Sequence, residues 1–352
     1  MKILHIINSF QFGGAENLLF NAIPFLKKSK FDFEFLSITN NLNLIDDKSM
    51  INYLDNNTAK SFKTFIDLYV YFKKNKYDIV HAHLFPTTYY CSLLKKMGII
   101  KSKLVMTEHN THNRRRDFLL FKPIEKIIYD EFEKIICISK GTEINLNKWL
   151  KTTKNKTELI YNGINIQKFV NSNKTENIVE KNTIKIIMVA SFSPQKDQIT
   201  LLKSLRSLPE KYKIYFAGDG AEIDYVKNFV KKNKLEDRVE FLGNVRDIPG
   251  LLKKMDLFVL SSKWEGFGLV VVEAMAANLP IIASDIPGLT EIVNGYGKVF
   301  KKENYEELSN KILDVTKKQS IYNEYVNKSE LRSKDFTIEK MVEDYIEIYN
   351  ML

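Results

Sequence analysis

The stretch Leu257-Phe258-Val259-Leu260-Ser261-Ser262-Lys263-Trp264-Glu265-Gly266-Phe267-Gly268-Leu269-Val270-Val271-Val272-Glu273-Ala274-Met275-Ala276-Ala277 decides the fold. It passes from four apolar, strand-favouring residues through a loop with two glycines into an apolar run of helical length. A strand that enters a helix through a short glycine-bearing loop is the first part of a βαβ unit, and a parallel sheet follows. Gly266 and Gly268 let the backbone approach a ligand closely, and the free N–H groups at the helix start point at an anion, for which a diphosphate is the natural guest. The helix dipole adds about 0.3–1 kcal/mol of attraction for each negative group placed there. Glu273 stands eight residues after Glu265, in the second turn of the helix, so one carboxylate hangs over the loop while the other reaches out from the helix. Two acceptors at different depths suit sugar and ribose hydroxyls. Taken singly, Glu265 reads as a surface acid and Glu273 as a complement to the helix dipole; the shared strand, loop and helix favour the binding reading.

The same alternation extends in both directions. Upstream, strands are expected at Lys2 to Ile7, Phe33 to Ile38, Ile79 to Ala82, Leu104 to Thr107, Lys134 to Ile138 and Glu158 to Ile160, with helices that include Ala15 to Lys28, Thr64 to Lys74 and Thr87 to Lys96. The polar stretch Asn171 to Asn182 interrupts the pattern and reads as a linker. Strands resume at Ile184 to Val189, Lys213 to Ala217, Val239 to Leu242, Leu257 to Leu260, Pro280 to Ala283 and Gly297 to Val299. From Thr337 onward, Ile338, Met341, Tyr345, Ile348 and Tyr349 fall at helical spacing on one apolar face. The reading is an α/β protein of two Rossmann-like, doubly wound parallel-sheet domains facing a central cleft, where ligands of such folds bind. Its expected bounds are 1–168 for the first domain, 169–183 for a linker, 184–336 for the second domain, and 337–352 for a helix packing back on the first.

Composition agrees with two domains, because 352 residues exceed the length at which a single core stops growing, about 250 to 300 residues. Apolar residues make up 44% and charged residues 27%, the balance of a globular protein. No apolar run approaches the roughly 18 residues of a membrane span, and Lys2 to Ile7 is too short for a signal-peptide core, so a cytoplasmic location is expected. Cys91 and Cys137 are too few for a disulfide framework or a cysteine metal cage and read as small buried hydrophobes. Residues 1–165 hold 25 Lys and Arg against 16 Asp and Glu, which is +9 of the net +10. Clusters such as Lys27-Lys28, Lys73-Lys74 and Arg114-Arg115-Arg116 suit an anionic lipid surface or a phosphorylated substrate, against the plain alternative of solvated faces. Nucleic-acid binding would rest on charge alone and is not expected.

Further residues of note follow strands. Lys196 lies in Val189-Ala190-Ser191-Phe192-Ser193-Pro194-Gln195-Lys196-Asp197, after the first strand of the second domain. His109 follows a strand of the first domain. All five histidines, at 5, 81, 83, 109 and 112, lie in that domain, and His81-Ala82-His83 beside His109 raises a metal reading. No carboxylate or cysteine completes a ligand set and strand-end histidines are commonly structural, so no metal is expected.

Glu265 to Ala276 resembles the E-x7-E signature of glycosyltransferase family 4, also called group 1, whose fold is GT-B. Asn278 to Glu291 continues the family pattern with Asn278 at a usual Gly position, and Asn tolerates the left-handed conformation of a helix C-cap. Gly13-Gly14-Ala15-Glu16, Tyr161-Asn162-Gly163, Gly218-Asp219-Gly220 and Phe241-Leu242-Gly243 match further landmarks in order, so the resemblance covers almost the whole chain. It implies transfer of a hexose-type sugar, with retention, from a nucleoside diphosphate sugar (UDP-sugar favoured) to a glycan or polyprenyl-diphosphate-linked acceptor in cell-surface polysaccharide synthesis. The work would take place at the cytoplasmic membrane face, with the basic first domain against anionic lipid. Catalytic roles fall by resemblance on Glu265, His109 and Lys196. Donor contacts fall on Gly13, Gly14, Ser191, Lys196, Gly243 and Val245, and on Glu265, Gly266, Phe267, Gly268, Leu269, Val270 and Glu273. The family shows an Arg five residues before the Lys where this chain has Ser191, so Arg246 or helix N–H groups would take up that charge. No Asp-x-Asp, the metal-holding pair of metal-dependent glycosyltransferases, occurs, and no cofactor is expected beyond the sugar donor as co-substrate. A nucleotide-sugar epimerase or phosphorylase on the same fold, and a non-catalytic nucleotide-sugar or lipid-binding partner, remain the alternatives.

Overall fold

The apolar runs form two all-parallel sheets, each in its own unit of the chain. The structure is a computed structural model that describes residues 1–11, 13–45, 47–111, 113–169 and 177–352. His112 and residues 170–176 of the expected linker lie outside the described residues. The first unit is Met1–Gly163 with Ile338–Leu352, and the second is Ile164–Thr337.

In the first unit, β1 (Lys2–Ile7), β2 (Asp32–Ser37), β3 (Asn52–Tyr53), β4 (Ile79–His83), β5 (Lys103–Glu108), β6 (Lys134–Cys137) and β7 (Thr157–Leu159) stand in the order β3-β2-β1-β4-β5-β6-β7. The winding starts at β1, runs outward to one edge, then restarts at β4 toward the other, so the carboxyl ends of β1 and β4 form a topological switch point. The two-residue edge strand β3 has no apolar alternation and was not expected from sequence.

One face of this sheet is covered by α2 (Phe62–Lys74), α3 (Thr87–Lys96), α4 (Phe121–Asp130) and α5 (Lys140–Trp149), whose Leu68, Phe72, Leu94, Ile128 and Leu146 pack on Leu4, Ile6, Val80 and Met106. Ser61 and Ser139 cap α2 and α5 by accepting from the N–H groups of Thr64 and Thr142, each cap contributing about 1 kcal/mol. On the alternate residues of the strands, which face the other side, pack α13 (Ile338–Met351) and its neighbour α1 (Gly14–Leu26). The terminal helix is thus part of the first unit, with Tyr349 fully buried.

The second unit has β8 (Ile184–Val189), β9 (Tyr212–Ala217), β10 (Val239–Gly243), β11 (Leu257–Leu260), β12 (Ile281–Ser284) and β13 (Lys298–Phe300) in the order β10-β9-β8-β11-β12-β13. Its helices are α6 (Gln198–Leu205), α7 (Ile223–Lys232), α8 (Ile248–Leu252), α9 (Leu269–Ala276), α10 (Thr290–Val293), α11 (Tyr305–Thr316) and α12 (Gln319–Ser333). β11 is buried throughout, as a central strand covered on both faces must be.

The division falls at Gly163 rather than at residue 168. Ile164 bridges to Thr337 and its N–H donates to the Phe336 carbonyl at 2.9 Å, which ties this segment to the second unit. The described end of the expected linker is held there too: Ile178 N–H donates to Gln319 at 2.6 Å and Lys181 pairs with Asp256 at 2.8 Å.

Candidate functional site

The loop after β11 and the loop after β8 are fastened together. Gln195 Nε2 donates to the Trp264 carbonyl at 2.8 Å, the Gln195 carbonyl accepts from Lys263 N–H at 2.7 Å, and Ser261 Oγ donates to the Asp197 carbonyl at 2.8 Å. These bonds bring Lys196 beside Glu265, and Lys196 Nζ forms an ion pair with Glu265 Oε1. Ser262 Oγ donates to the same carboxylate oxygen at 2.7 Å. The two side chains are 18% and 8% exposed, so the pair is largely desolvated and held in one geometry. Gln195 and Ser262 lie within the stretches quoted above but were assigned no role, because their partners are set by the contact of two loops distant in sequence.

Glycines shape the backbone around this pair. Gly268 caps α9 in the left-handed region at φ 80°, where a Cβ would come within 2.5 Å of Leu289. Gly288 sits at φ 90°, and a Cβ there would lie 2.6 Å from the Glu265 carbonyl. The Pro287-Gly288 turn therefore presses directly on the Glu265-Gly266 backbone. Phe267 is 2% exposed and packs edge-on against Phe336 at 5.4 Å, anchoring the loop from below. Leu269 and Val270 open α9, and N–H groups of a first helical turn have no intrahelical acceptor, so they remain available to an anion.

Glu273 lies one turn further along α9, where burial pushes its carboxyl up to about 7 against the opposing pull of Lys168. Near neutral pH it therefore exchanges between proton donor and acceptor. At its far end α9 closes as the sequence implied: Asn278 adopts φ 59°, its N–H donates to the Met275 carbonyl, and Leu279 N–H donates to the Ala274 carbonyl, both at 3.0 Å.

The remaining second-unit positions gather at the ends of β8, β9 and β10. Gly218 N–H donates to the Gly243 carbonyl at 2.7 Å, and a Cβ on Gly218 would meet the Ala190 carbonyl, so these three loops touch through backbone. Phe192, Phe216 and Phe241 form a ring cluster with centroids 5.7–5.9 Å apart beneath them. Ser191 is exposed and its carbonyl accepts from Gln198, while Val245 is half-buried and Arg246 exposed on the loop after β10. No described contact joins Arg246 to the Lys196–Glu265 pair.

In the first unit, Gly13 is the extended N-cap of α1 with no side chain capping that end, and Gly14 has open space where a Cβ would be. His109 lies just past β5 and is joined through its Nε2 to His83 Nδ1 at 3.5 Å. A longer chain continues from there. His83 Nε2 meets His5 Nδ1 at 3.1 Å, His5 Nε2 meets Tyr349 Oη at 3.0 Å, Tyr349 Oη meets His81 Nδ1 at 2.6 Å, and His81 Nε2 meets Thr107 Oγ1 at 2.8 Å. Parallel register explains it, since His5 is directly opposite His81 and His83 opposite Thr107. Ligand atoms of His5, His81 and His83 lie within 4.8 Å of one another, the one such group among the described residues. Each ring, however, turns its two nitrogens to two different neighbours, so the group runs as a hydrogen-bonded chain instead of converging on a point. Burial holds His109 down to about 4 and His5 down to about 3, and drives His81 and His83 well below the usual range.

Arg115 and Arg116 of the arginine cluster are not free basic groups of an open patch. Arg116 is buried, pairing with Glu108 at 2.7 Å and with the fully buried Glu125 at 3.4 Å, and its Nη1 has no partner. Arg115 also reaches Glu125, at 3.2 Å, and lies over the Phe85 ring at 4.2 Å. Tyr129, Tyr89 and Trp149 complete the hydrogen bonds of the two carboxylates. Burial of an ionic group depends on tertiary partners, which charge counting does not register.

Known proteins share the sequence pattern and the fold. Residues 12–168 match the family described as Glycosyltransferase Family 4, and residues 170–332 the family described as Glycosyl transferases group 1. An uncharacterized glycosyltransferase of Methanocaldococcus jannaschii is 31% identical over 286 residues, covering 78% of this chain and 76% of its own. The UDP-Gal:alpha-D-GlcNAc-diphosphoundecaprenol alpha-1,3-galactosyltransferase of Escherichia coli is 26% identical over 353 residues, covering 90% and 88%. Among solved structures, Anabaena HepE in complex with UDP-glucose matches with a TM-score of 0.86 at 22% identity over 100% of both chains. With both halves matched in succession and a relative of this identity spanning most of the chain, the protein belongs to glycosyltransferase family 4, the group 1 glycosyltransferases, and has the GT-B fold.

Proposed function

We propose that this glycosyltransferase moves a hexose-type sugar from a UDP-sugar to a glycan or polyprenyl-diphosphate-linked acceptor in cell-surface polysaccharide synthesis, with retention of configuration and without a metal ion, at the cytoplasmic face of the membrane. The observation that carries the reading is the desolvated Lys196–Glu265 pair set against the glycine-shaped start of α9. There, Lys196 and the N–H groups of Gly268, Leu269 and Val270 take the donor diphosphate, and the growing negative charge of the departing nucleotide is met by a preorganised cation and helix N–H groups. Glu265 orients Lys196 and accepts a sugar hydroxyl, Glu273 accepts a ribose or sugar hydroxyl, and Phe267 holds the loop. Gly243, Val245 and Ser191 border the nucleoside, Gly13 and Gly14 approach the diphosphate from α1, and His109 orients the sugar. Relatives named as a UDP-galactose-dependent transferase onto a diphosphoundecaprenol lipid and as an O-antigen biosynthesis glycosyltransferase support the donor and acceptor classes.

The test is a panel of UDP-, GDP- and ADP-sugars offered with and without a polyprenyl-diphosphate-linked sugar. Transfer from a UDP-sugar with α-configured product, unchanged by EDTA, is the expected outcome. Loss of turnover under chelator with recovery in manganese, or an inverted product, overturns the corresponding part.

A further inference from the structure

The histidine chain of the first unit has a direction. Thr107 Oγ1, His81, Tyr349 Oη, His5, His83 and His109 are joined in that order by contacts of 2.8, 2.6, 3.0, 3.1 and 3.5 Å. Each contact needs one donor and one acceptor. A neutral imidazole has one N–H and one bare nitrogen, and a hydroxyl donates one proton while it accepts another. Burial holds all four rings below the ordinary histidine range, so they are neutral near pH 7. Orienting one contact therefore orients every other in the same sense. The chain has two states: all links donate toward His109, or all donate toward Thr107.

The Thr107 end decides between them. Thr107 is 2% exposed, and among the described residues the hydrogen-bond partner of its hydroxyl is His81 Nε2 alone. In a chain running toward Thr107, His81 would donate to Oγ1 and the hydroxyl proton would have no bonded acceptor. Tyr345 also acts on Thr107, but a phenol is the better donor and the poorer acceptor of the two, so it gives Thr107 a proton instead of taking one. A buried donor left unmade disfavours that state by about tenfold or more. The other end carries no such penalty. His109 is half-buried where His5, His81 and His83 are buried, and its Nδ1 has no partner among the described residues, nor is it one of their buried orphan atoms.

We propose that the chain runs from Thr107 to His109. Thr107 donates to His81 Nε2, His81 Nδ1–H to Tyr349, Tyr349 to His5 Nε2, His5 Nδ1–H to His83 Nε2, and His83 Nδ1–H to His109 Nε2. All four rings are then Nδ1–H tautomers, and His109 turns a fixed N–H donor outward. Thr107, His81, Tyr349, His5 and His83 are positioning residues that act through it. The oxygen that His109 meets must offer a lone pair; on the reading of His109 as the residue that orients the donor sugar, on which this last step rests, that oxygen is a sugar hydroxyl acting as acceptor.

Two-bond proton–nitrogen correlations of the full chain with isotope-labelled histidine read the tautomers directly, without ligand, at about pH 7.5, above the ordinary histidine value. His109 is assigned from the signals lost in His109→Gln. A protonated Nδ1 and a bare Nε2 are expected for His109 and for the three rings behind it. A protonated Nε2 at His109, a mixture of tautomers or a charged ring overturns the proposal. His83→Leu cannot donate to His109 and is expected to leave it a mixture of tautomers with about tenfold lower kcat/KM for the sugar donor. His83→Asn, whose amide N–H stands in for Nδ1–H, is expected to keep the tautomer and restore most of the activity. A His109 tautomer unchanged in His83→Leu overturns the chain as its cause. UDP, UDP-glucose and UDP-galactose are then added, and a shift of the Nδ1–H resonance with a UDP-sugar but not with UDP is expected. If no UDP-sugar binds in calorimetry, or none moves that resonance, the donor role given to His109 fails while the tautomers, measured without ligand, stand.

Discussion

At the scale of single residues, the structure alters what a Lys196 substitution reports. The sequence presents Lys196 as a cation waiting for phosphate, but it is also the partner of a buried carboxylate. Lys196→Ala therefore removes the proposed leaving-group cation and the ion-pair partner of Glu265, which keeps its hydrogen bond from Ser262. Breaking one side of a buried pair costs several kcal/mol, and the residual exposure of Lys196 brings that to about 2 kcal/mol here. The single variant is expected to lose both stability and about 100-fold or more in turnover, whereas Lys196→Met combined with Glu265→Gln recovers most of the stability and none of the turnover. Urea unfolding beside donor turnover checks this; a double variant as unstable as the single one would remove the ion pair from the account. Other residue-scale features were legible from chemistry alone. Asn278 was expected to adopt a left-handed helix end and does, since that choice depends on local backbone and not on distant partners. Gly288 belonged to a family pattern, yet its contact with the Glu265 carbonyl follows only when two loops distant in sequence are folded together.

At the scale of elements, strands were read well because buried parallel strands are short, continuous apolar runs bounded by polar turns, and apart from the edge strand β3, which was not expected, their positions agree with expectation to within one or two residues. What a strand does to its neighbour was not legible. His5, His81 and His83 are far apart in sequence, and only the register of β1 on β4 and of β4 on β5 makes them a chain. Its middle link comes from another element, Tyr349 of α13, whose hydroxyl serves His5 and His81 together. Tyr349→Phe keeps the ring and its volume but leaves two buried imidazole nitrogens short of a partner. At about 1–3 kcal/mol for each unsatisfied buried group, the variant is expected to lose about 2–6 kcal/mol, measured as a lowered urea midpoint with an unchanged slope. A midpoint equal to wild type would mean that the helix is held by apolar packing alone.

At the scale of the whole molecule, the buried histidines and Glu273 give the stability a defined dependence on pH. A buried histidine held below its ordinary value stays neutral in the native state at pH values where the unfolded chain would protonate it. The unfolded state then binds more protons, so stability falls as pH drops below about 6.5, by about 1.4 kcal/mol per pH unit for each such ring. His5, His81, His83 and His109 all act in this sense, down to about 4 for His109 and about 3 for His5. Glu273 acts oppositely: its native value near 7 lies above the unfolded 4.5, so its contribution is complete below about 4.5 and is lost as pH rises toward 7. Between these limits four rings outweigh one carboxyl, and the net change follows the histidines. Unfolding free energy is therefore expected to stay level above about pH 7 and to fall steeply from pH 6.5 toward 5, at up to about 4 kcal/mol per pH unit from these groups alone. Because all four rings belong to the first unit, acid is expected to melt that unit first, so tryptophan emission from Trp149 should change at higher pH than that from Trp264 in the second. Two single-tryptophan variants read at each pH separate the units, and coincident transitions, or loss of the second unit first, would refute the assignment of acid sensitivity to the histidine chain.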